Sequence, residues 1–255
     1  MYWDLFPVVR LQCSFNDFVR LRALRHPAYR YELVDGEAIL SPNPKVGRAV
    51  LRLTAPPVSA RGCMGDAGDD LSVRQLSEDD WDRLPELLES AHGFDPPFSL
   101  MEEPSSTRAA RKCIEFLHSG GEGELIETAC KLATEAGDQH ALLGAVIVTK
   151  AERNRFFWDA GRRSRQTSAA GQSGEGPWIP HLTWALVRAW EQRRGIGTKL
   201  LNVAVEALRR SGQDLLASSF LLGNSSAMSW HWRNGFELVD STNVGRLAAL
   251  DDFEG

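Results

Sequence analysis

Gln192-Arg193-Arg194-Gly195-Ile196-Gly197-Thr198 is the stretch on which the fold of this chain turns. It follows an apolar run from Leu182 to Ala189, short and continuous like a buried strand. Behind it, Leu200, Leu201, Ala204, Val205 and Leu208 recur at helical spacing. The order is therefore strand, glycine turn, helix start. The first amides of a helix have no acceptor inside it, and the helix dipole adds partial positive charge at that end. Such a terminus suits an anion, and a diphosphate gains about 0.3–1 kcal/mol from it, more where the contact is partly buried. Two glycines alone are a weak signal, because a tight turn also needs them.

Outward from this stretch the chain alternates in character. Leu71 to Leu76 has strand composition, and Ser77 with Asp80 forms a cap for a helix to about Ala91. A second helix is expected from about Ser105 to Leu117. Two strands follow, Cys130 to Glu135 and Ala141 to Thr149, with the turn at Gly137-Asp138. After an insertion come strand, helix, strand, helix and strand. Hairpins and a crossover together predict an α/β fold: a mixed, mostly antiparallel twisted sheet flanked by helices. The insertion, 150–178, carries Arg153, Arg155, Arg162, Arg163 and Arg165 before a Ser/Gly/Gln-rich tail. It is expected to be a mobile solvated loop; a basic flap over an anion is the alternative.

The first part of the chain is different. Residues 14–26 suggest a helix capped by Ser14 and Asp17, with Phe15, Phe18, Leu21 and Leu24 near one face and Pro27 as its stop. Tyr29 to Val34 and Glu37 to Leu40 flank Asp35-Gly36, a strong hairpin signal. Pro56-Pro57, then Gly62, Gly65, Asp66, Gly68, Asp69 and Asp70, mark a linker. The predicted division is an N-terminal extension over 1–65 and a main domain over 71–245.

A hydrophobic content of 43% supports a real core, and no window approaches the ~18 apolar residues of a membrane span. The net charge of −5 argues against a dedicated nucleic-acid binder and leans toward cationic substrates. Cys13, Cys63, Cys113 and Cys130 are scattered, with no zinc-ligand spacing, so free thiols, no metal and a reducing, cytoplasmic setting are expected. The N-terminus has no features of a secretion leader.

Val187-Arg188-Ala189-Trp190-Glu191 followed by Gln192-Arg193-Arg194-Gly195-Ile196-Gly197 is one half of a paired signature. The other half is Asn224, Ala227, His231, Gly235 and Phe236. In this order and spacing, residues of about 71–240 resemble the GNAT superfamily of N-acetyltransferases, which use acetyl-CoA. The resemblance implies that Gln192, Arg193, Arg194, Gly195, Ile196, Gly197 and Thr198 hold the CoA diphosphate. It also implies that Leu186 and Val187 pair with the pantetheine arm, and that Asn224 reaches the pantetheine amide or the thioester. The implied activity is acetyl transfer to a primary amine, of a small molecule or a peptide, by direct attack in a ternary complex. A homodimer is compatible with it; a nucleic acid or membrane partner is not implied. The alternatives are an acyl-CoA-binding module without chemistry, or a protein-interaction module.

The chemical step needs proton management. Freeing the lone pair of an amine with a pKa near 10.4 costs roughly 4–5 kcal/mol at neutral pH, and the leaving thiolate needs a proton. Many members of the superfamily carry a tyrosine seven residues after the Asn as the acid. This chain has His231 there, which can donate a proton or pack as a partly buried histidine. His181, Thr183 and Glu127 are candidate bases or water-holders, and the sequence does not choose among them.

Overall fold

Asp35 and Gly36 both adopt positive φ, 51° and 78°, as the two central residues of a type I′ hairpin must. In the computed structural model, which describes residues 9–23, 29–42, 46–53, 71–93, 98, 104–153, 156, 177–221 and 225–239, this turn joins β2 (Tyr29–Val34) to β3 (Glu37–Pro42). With β1 (Val9–Gln12) they make a small antiparallel sheet in the order β1-β3-β2. Helix α1 (Phe15–Ala23) begins as expected, with Asp17 N–H donating to Ser14 Oγ at 3.2 Å. Its expected apolar face is only partly used: Phe18 is buried, whereas Phe15 is 70% exposed. Leu24, Pro27 and the linker of 54–70 lie outside the described residues.

The main sheet has seven strands in the order β10-β4-β9-β8-β7-β6-β5. They are β4 (Val46–Arg52), β5 (Leu71–Gln75), β6 (Lys131–Glu135), β7 (Asp138–Glu152), β8 (Trp178–Val187), β9 (Leu215–Leu221) and β10 (Glu237–Leu238). Every neighbouring pair is antiparallel except β8 with β9. This is the mixed, mostly antiparallel α/β sheet that the sequence predicts. β7 runs on to Glu152, so the insertion begins later than position 150. Arg155, Arg162, Arg163 and Arg165 lie outside the described residues.

Helices cover both faces. On one, α4 (Ile196–Arg210) lays Ile196, Leu200, Ala204 and Leu208 over Val146, Val148, Leu182 and Leu216. Gly144 permits this approach, because a Cβ there would stand 2.8 Å from Leu186 O and 3.2 Å from Ile196 Cγ2. On the other face, α2 (Leu84–His92) and α3 (Ser105–His118) pack on Leu132, Ala145, Ile147 and Leu186. The single helix expected after Ser77 is in fact a 3-10 turn, Glu78–Arg83, followed by α2. Pro85 has no N–H to donate to the preceding turn, so the α-helical ladder cannot run through it.

The expected cap of that segment is present and reinforced. Asp80 Oδ2 accepts from Ser77 N–H at 2.9 Å and from its hydroxyl at 2.7 Å, and Arg74 grips both carboxylate oxygens at 2.6 Å each. Asp80 is 2% exposed, and the Arg74 guanidinium holds its carboxyl far below the usual range. Asp80→Ala takes the carboxylate from Arg74 and the cap from Ser77, and is expected to cost about 2–3 kcal/mol in urea denaturation. Asp80's carboxylate contributes fully above the unfolded pKa of about 3.9, and the contribution declines as pH falls toward the lowered folded value.

The sequence division places nothing before Leu71 in the main domain, yet β4 lies inside the large sheet. It pairs with β9 from Val46↔Leu221 to Arg52↔Leu215, and with β10 at Val50↔Glu237 and Ala49↔Leu238. Ala49 joins the core beneath α4, and Val50 packs on the opposite face with Ile179 and Ala217. Burial on both faces removes the alternation that would have marked a strand, and its partner lies far along the chain. Val50→Asp would bury an unpaired charge and is expected to cost about 4 kcal/mol or more. Removing 1–65 is expected to collapse the fold of the remainder, read as lost cooperativity in a thermal melt.

Candidate functional site

β8 and β9 are parallel neighbours, but their ladder holds only at His181↔Ala217 and Leu182↔Ser218. β8 continues to Val187 and β9 to Leu221 without further pairing between them. The strands therefore part toward their carboxyl ends and leave a cleft in the sheet. Two strand signals shape its wall on β8. First, the register with β7 shifts between Ile147↔Trp184 and Val148↔Leu182, which makes Thr183 an extra residue, a β-bulge. Second, Arg188 N–H donates to Leu143 O at 2.9 Å. Backbone groups of a strand alternate in direction, so those of Leu186 turn to β7, and those of Ala185 and Val187 turn to the cleft.

At the mouth of this cleft the chain makes its glycine turn. Arg193 has φ 65° and Gly195 φ 81°, so the backbone changes hand twice within three residues just before α4. Turns of this kind curl successive amides into an anion-binding hollow. Arg193 is strained there, since a side chain disfavours positive φ. The ladder of α4 begins with Lys199 N–H donating to Gly195 O at 2.9 Å. Ile196, Gly197 and Thr198 precede it, and their amides have no acceptor within the helix. Gln192 does not extend toward an anion: its Nε2 donates to Ala91 O and Val187 O, each at 3.3 Å, and ties the turn to α2 and β8. Arg194 is ion-paired with Glu191, and Arg188 with Glu86 at 3.1 Å.

The second signature meets the first in space. A Cβ on Gly197 would lie 3.4 Å from Val187 Cγ2 and 3.4 Å from Trp230 Nε1. Thus β8, the start of α4 and helix α5 (Ser225–Arg233) converge on one glycine. Asn224 falls outside the described residues.

His231 is 6% exposed, with the rings of Phe220, Trp230 and Phe236 at 4.8, 5.1 and 4.9 Å. Its Nδ1 lies 2.7 Å from Ala227 O, a pure acceptor, so Nδ1 carries the proton. Nε2 then accepts from Ser218 Oγ at 2.8 Å. Burial lowers its pKa, which keeps the ring neutral. The proton that a general acid would give is therefore committed to a carbonyl, and the ring serves as an acceptor for Ser218. Ser218 itself stands at the last paired position before the strands part.

Other candidates are placed as follows. His181 and Thr183 are buried together on the face opposite α4, with Nδ1 and Oγ1 at 3.1 Å. Glu127 is exposed in a 3-10 turn, Glu127–Ala129. Burial pushes the Cys113 and Cys130 thiols up to about 11, so neither is a thiolate at neutral pH. Ala185, Ser218 and Ser219 carry no motif. Only the phase of the strands, read with their pairing, brings them to the cleft.

Among the described residues, no helix is long and apolar enough to cross a membrane, and no His, Cys, Asp or Glu cluster converges as a metal site. Neither a family description nor a curated protein matches this chain. Its structure is similar to that of a GCN5-related N-acetyltransferase from Sphaerobacter thermophilus, at 15% identity and a TM-score of 0.48, over 91% of this chain. It spans only 56% of that protein's length. It is also similar to the PaiA N-acetyltransferase of Thermoplasma acidophilum, solved with coenzyme A, at 16% identity and a TM-score of 0.44, over 66% of this chain and 89% of that one. A GCN5-related N-acetyltransferase from Ralstonia eutropha is similar at 13% identity and a TM-score of 0.42, over 66% of this chain and 92% of that one.

The state of His231 has a measurable consequence. An unfolded histidine takes up its proton near pH ~6.5, and the buried one only at lower pH. Between the two values the unfolded chain holds the extra proton, so stability falls as pH drops below about 6.5. Urea midpoints are expected to show this slope between about pH 7.5 and 5, and His231→Asn is expected to flatten it.

Proposed function

We propose that the chain is an N-acetyltransferase that moves an acetyl group from acetyl-CoA to a primary amine within a ternary complex. One observation carries the proposal. The cleft between β8 and β9 opens at the same end of the sheet at which the unpartnered amides of α4 begin. Ligands of open α/β sheets bind outside the carboxyl ends of the strands, where neighbouring connections diverge. A diphosphate on the amides of Arg193 to Thr198 would leave the pantetheine arm to run into the cleft. There the arm would find the Val187 N–H and the backbone groups of Ala185 on β8, pairing with them as an added strand, while the Val187 carbonyl stays with Gln192 Nε2. Leu186 would contribute through packing, because its backbone groups face β7.

The chemistry follows from the same wall. A bulged strand beside an open gap presents amides with no sheet partner on that side, and one aimed at a thioester carbonyl stabilises the oxyanion formed on attack. An amine arriving from the face away from α4 would meet the carbonyl in the gap. Transfer would then be direct and would not need a cysteine nucleophile.

Calorimetry with coenzyme A tests the binding half, and thiol release from acetyl-CoA across a set of amines tests the transfer half. Gly197→Asp separates the binding site from the fold. A carboxylate in the first turn favours the helix but repels a diphosphate. Coenzyme A affinity is expected to fall at least tenfold while the thermal midpoint stays within a few degrees, and Gly197→Asn is expected to retain more of the affinity. Binding without thiol release from any amine would mark the chain as an acyl-CoA-binding module instead.

A further inference from the structure

We infer that His181 is the proton acceptor for the incoming amine, held in one tautomer by a chain of hydroxyls that ends on a backbone carbonyl. The chain starts at Glu122 O, which can only accept. Thr149, fully buried, donates its one hydroxyl proton there at 3.0 Å. Thr149 Oγ1 and Thr183 Oγ1 are 2.8 Å apart, so a proton lies between them, and it must come from Thr183. The other acceptor within reach of Thr183, its neighbour His181 O, is farther at 3.3 Å. With its proton so used, Thr183 accepts from His181 Nδ1 at 3.1 Å. His181 is thereby the Nδ1–H tautomer, and Nε2 presents a lone pair to Ser219 Oγ at 3.1 Å.

Two features of the backbone build this arrangement. Strand alternation places the Thr183 side chain on the same face as His181, two residues away, and the bulge leaves Thr183 without a register partner on β7. Gly123 brings the Glu122 carbonyl against β7, since a Cβ there would lie 2.1 Å from Lys150 O. The location also fits. His181 belongs to the last stretch in which β8 and β9 pair, and Ser219 is the first residue of β9 past it. Nε2 and the Ser219 hydroxyl therefore stand at the apex of the cleft, on the face away from α4.

This assignment rests on the acetyl-transfer function proposed above. The ammonium gives a proton to Nε2, directly or through the Ser219 hydroxyl, which passes on its own proton as it receives one. The freed lone pair forms the C–N bond, and the C–S bond breaks as the tetrahedral intermediate collapses. The thiolate takes the second nitrogen proton, and His181 returns the first to solvent. Ammonium and thioester thus become amide, thiol and one released proton. Thr183 and Thr149 are positioning residues, acting through the ring.

Correlation NMR on protein labelled with ¹⁵N-histidine reads the tautomer directly: a protonated Nδ1 and a bare Nε2 are expected for His181 at neutral pH. Thr183→Val is expected to lose that preference and Thr183→Ser to restore it. With acetyl-CoA and butylamine, 1,4-diaminobutane or a lysine tripeptide, His181→Gln is expected to lower kcat about 100-fold or more at neutral pH. Its coenzyme A affinity should stay within about twofold, and its rate should climb with pH where the wild type levels off. An Nε2–H tautomer in the wild type, or a His181→Gln rate within about threefold of it, overturns the inference alone. Wild-type protein that binds no coenzyme A, or releases no thiol with any of these amines, overturns the transfer function and this assignment with it.

Discussion

The parallel ladder between β8 and β9 stops after two residue pairs, and the rest of the site depends on that stop. A sheet that continued to pair would satisfy the backbone of Ala185 and Val187 and leave no gap. Parting the strands leaves polar backbone groups in search of a partner, which a sheet edge ordinarily avoids. The surrounding structure tolerates the gap because each strand is held firmly on its other side. β8 is paired with β7 from Trp178 to Val187, and β9 with β4 along its whole length. Strain at Arg193 and the bulge at Thr183 sit on the rim of the same gap. Local cost concentrated beside an opening is the pattern of a site shaped for something to enter.

The two faces of the sheet divide the work at this apex. On the α4 side, Ser218 donates to His231, whose own proton is tied to Ala227 O. On the other side, Ser219 faces His181, whose proton is tied through two threonines to Glu122 O. Neighbouring serines on one strand thus point to opposite faces, as strand geometry requires, and each meets a histidine with a lone pair at Nε2. The surroundings of the two rings differ. His231 is enclosed by three aromatic rings, whereas His181 stands among hydroxyls with Phe156 at 5.4 Å. Burial among aromatics suits packing, and a hydroxyl-lined position suits proton exchange.

Local patterns were legible in the sequence and long-range ones were not. The Asp35-Gly36 hairpin, the Ser14 and Ser77 caps and the strand–glycine–helix passage through Gly195 all rest on contacts within a few residues, and the structure has each. The α4 stripe was likewise written in its apolar spacing. β4 escaped because nothing near it in sequence reports its pairing with β9. The roles of Leu186 and Gln192 needed the strand phase and the packing of α2. At His231 the residue type was legible, but the direction of its hydrogen bonds was not, since Ala227 O and Ser218 define it only once α5 lies on β9.

The position of β4 has a bearing on how the molecule is made. It is translated before its partners β9 and β10, which follow more than 150 residues later, as Val50↔Ala217 and Val50↔Glu237 show. On the ribosome this segment must wait, unpaired, until β9 and β10 have emerged. Contacts of such sequence separation slow assembly and favour partly formed species. Closing the sheet therefore follows the emergence of β9 and β10, and the nascent chain's hazard is a premature partner for β4.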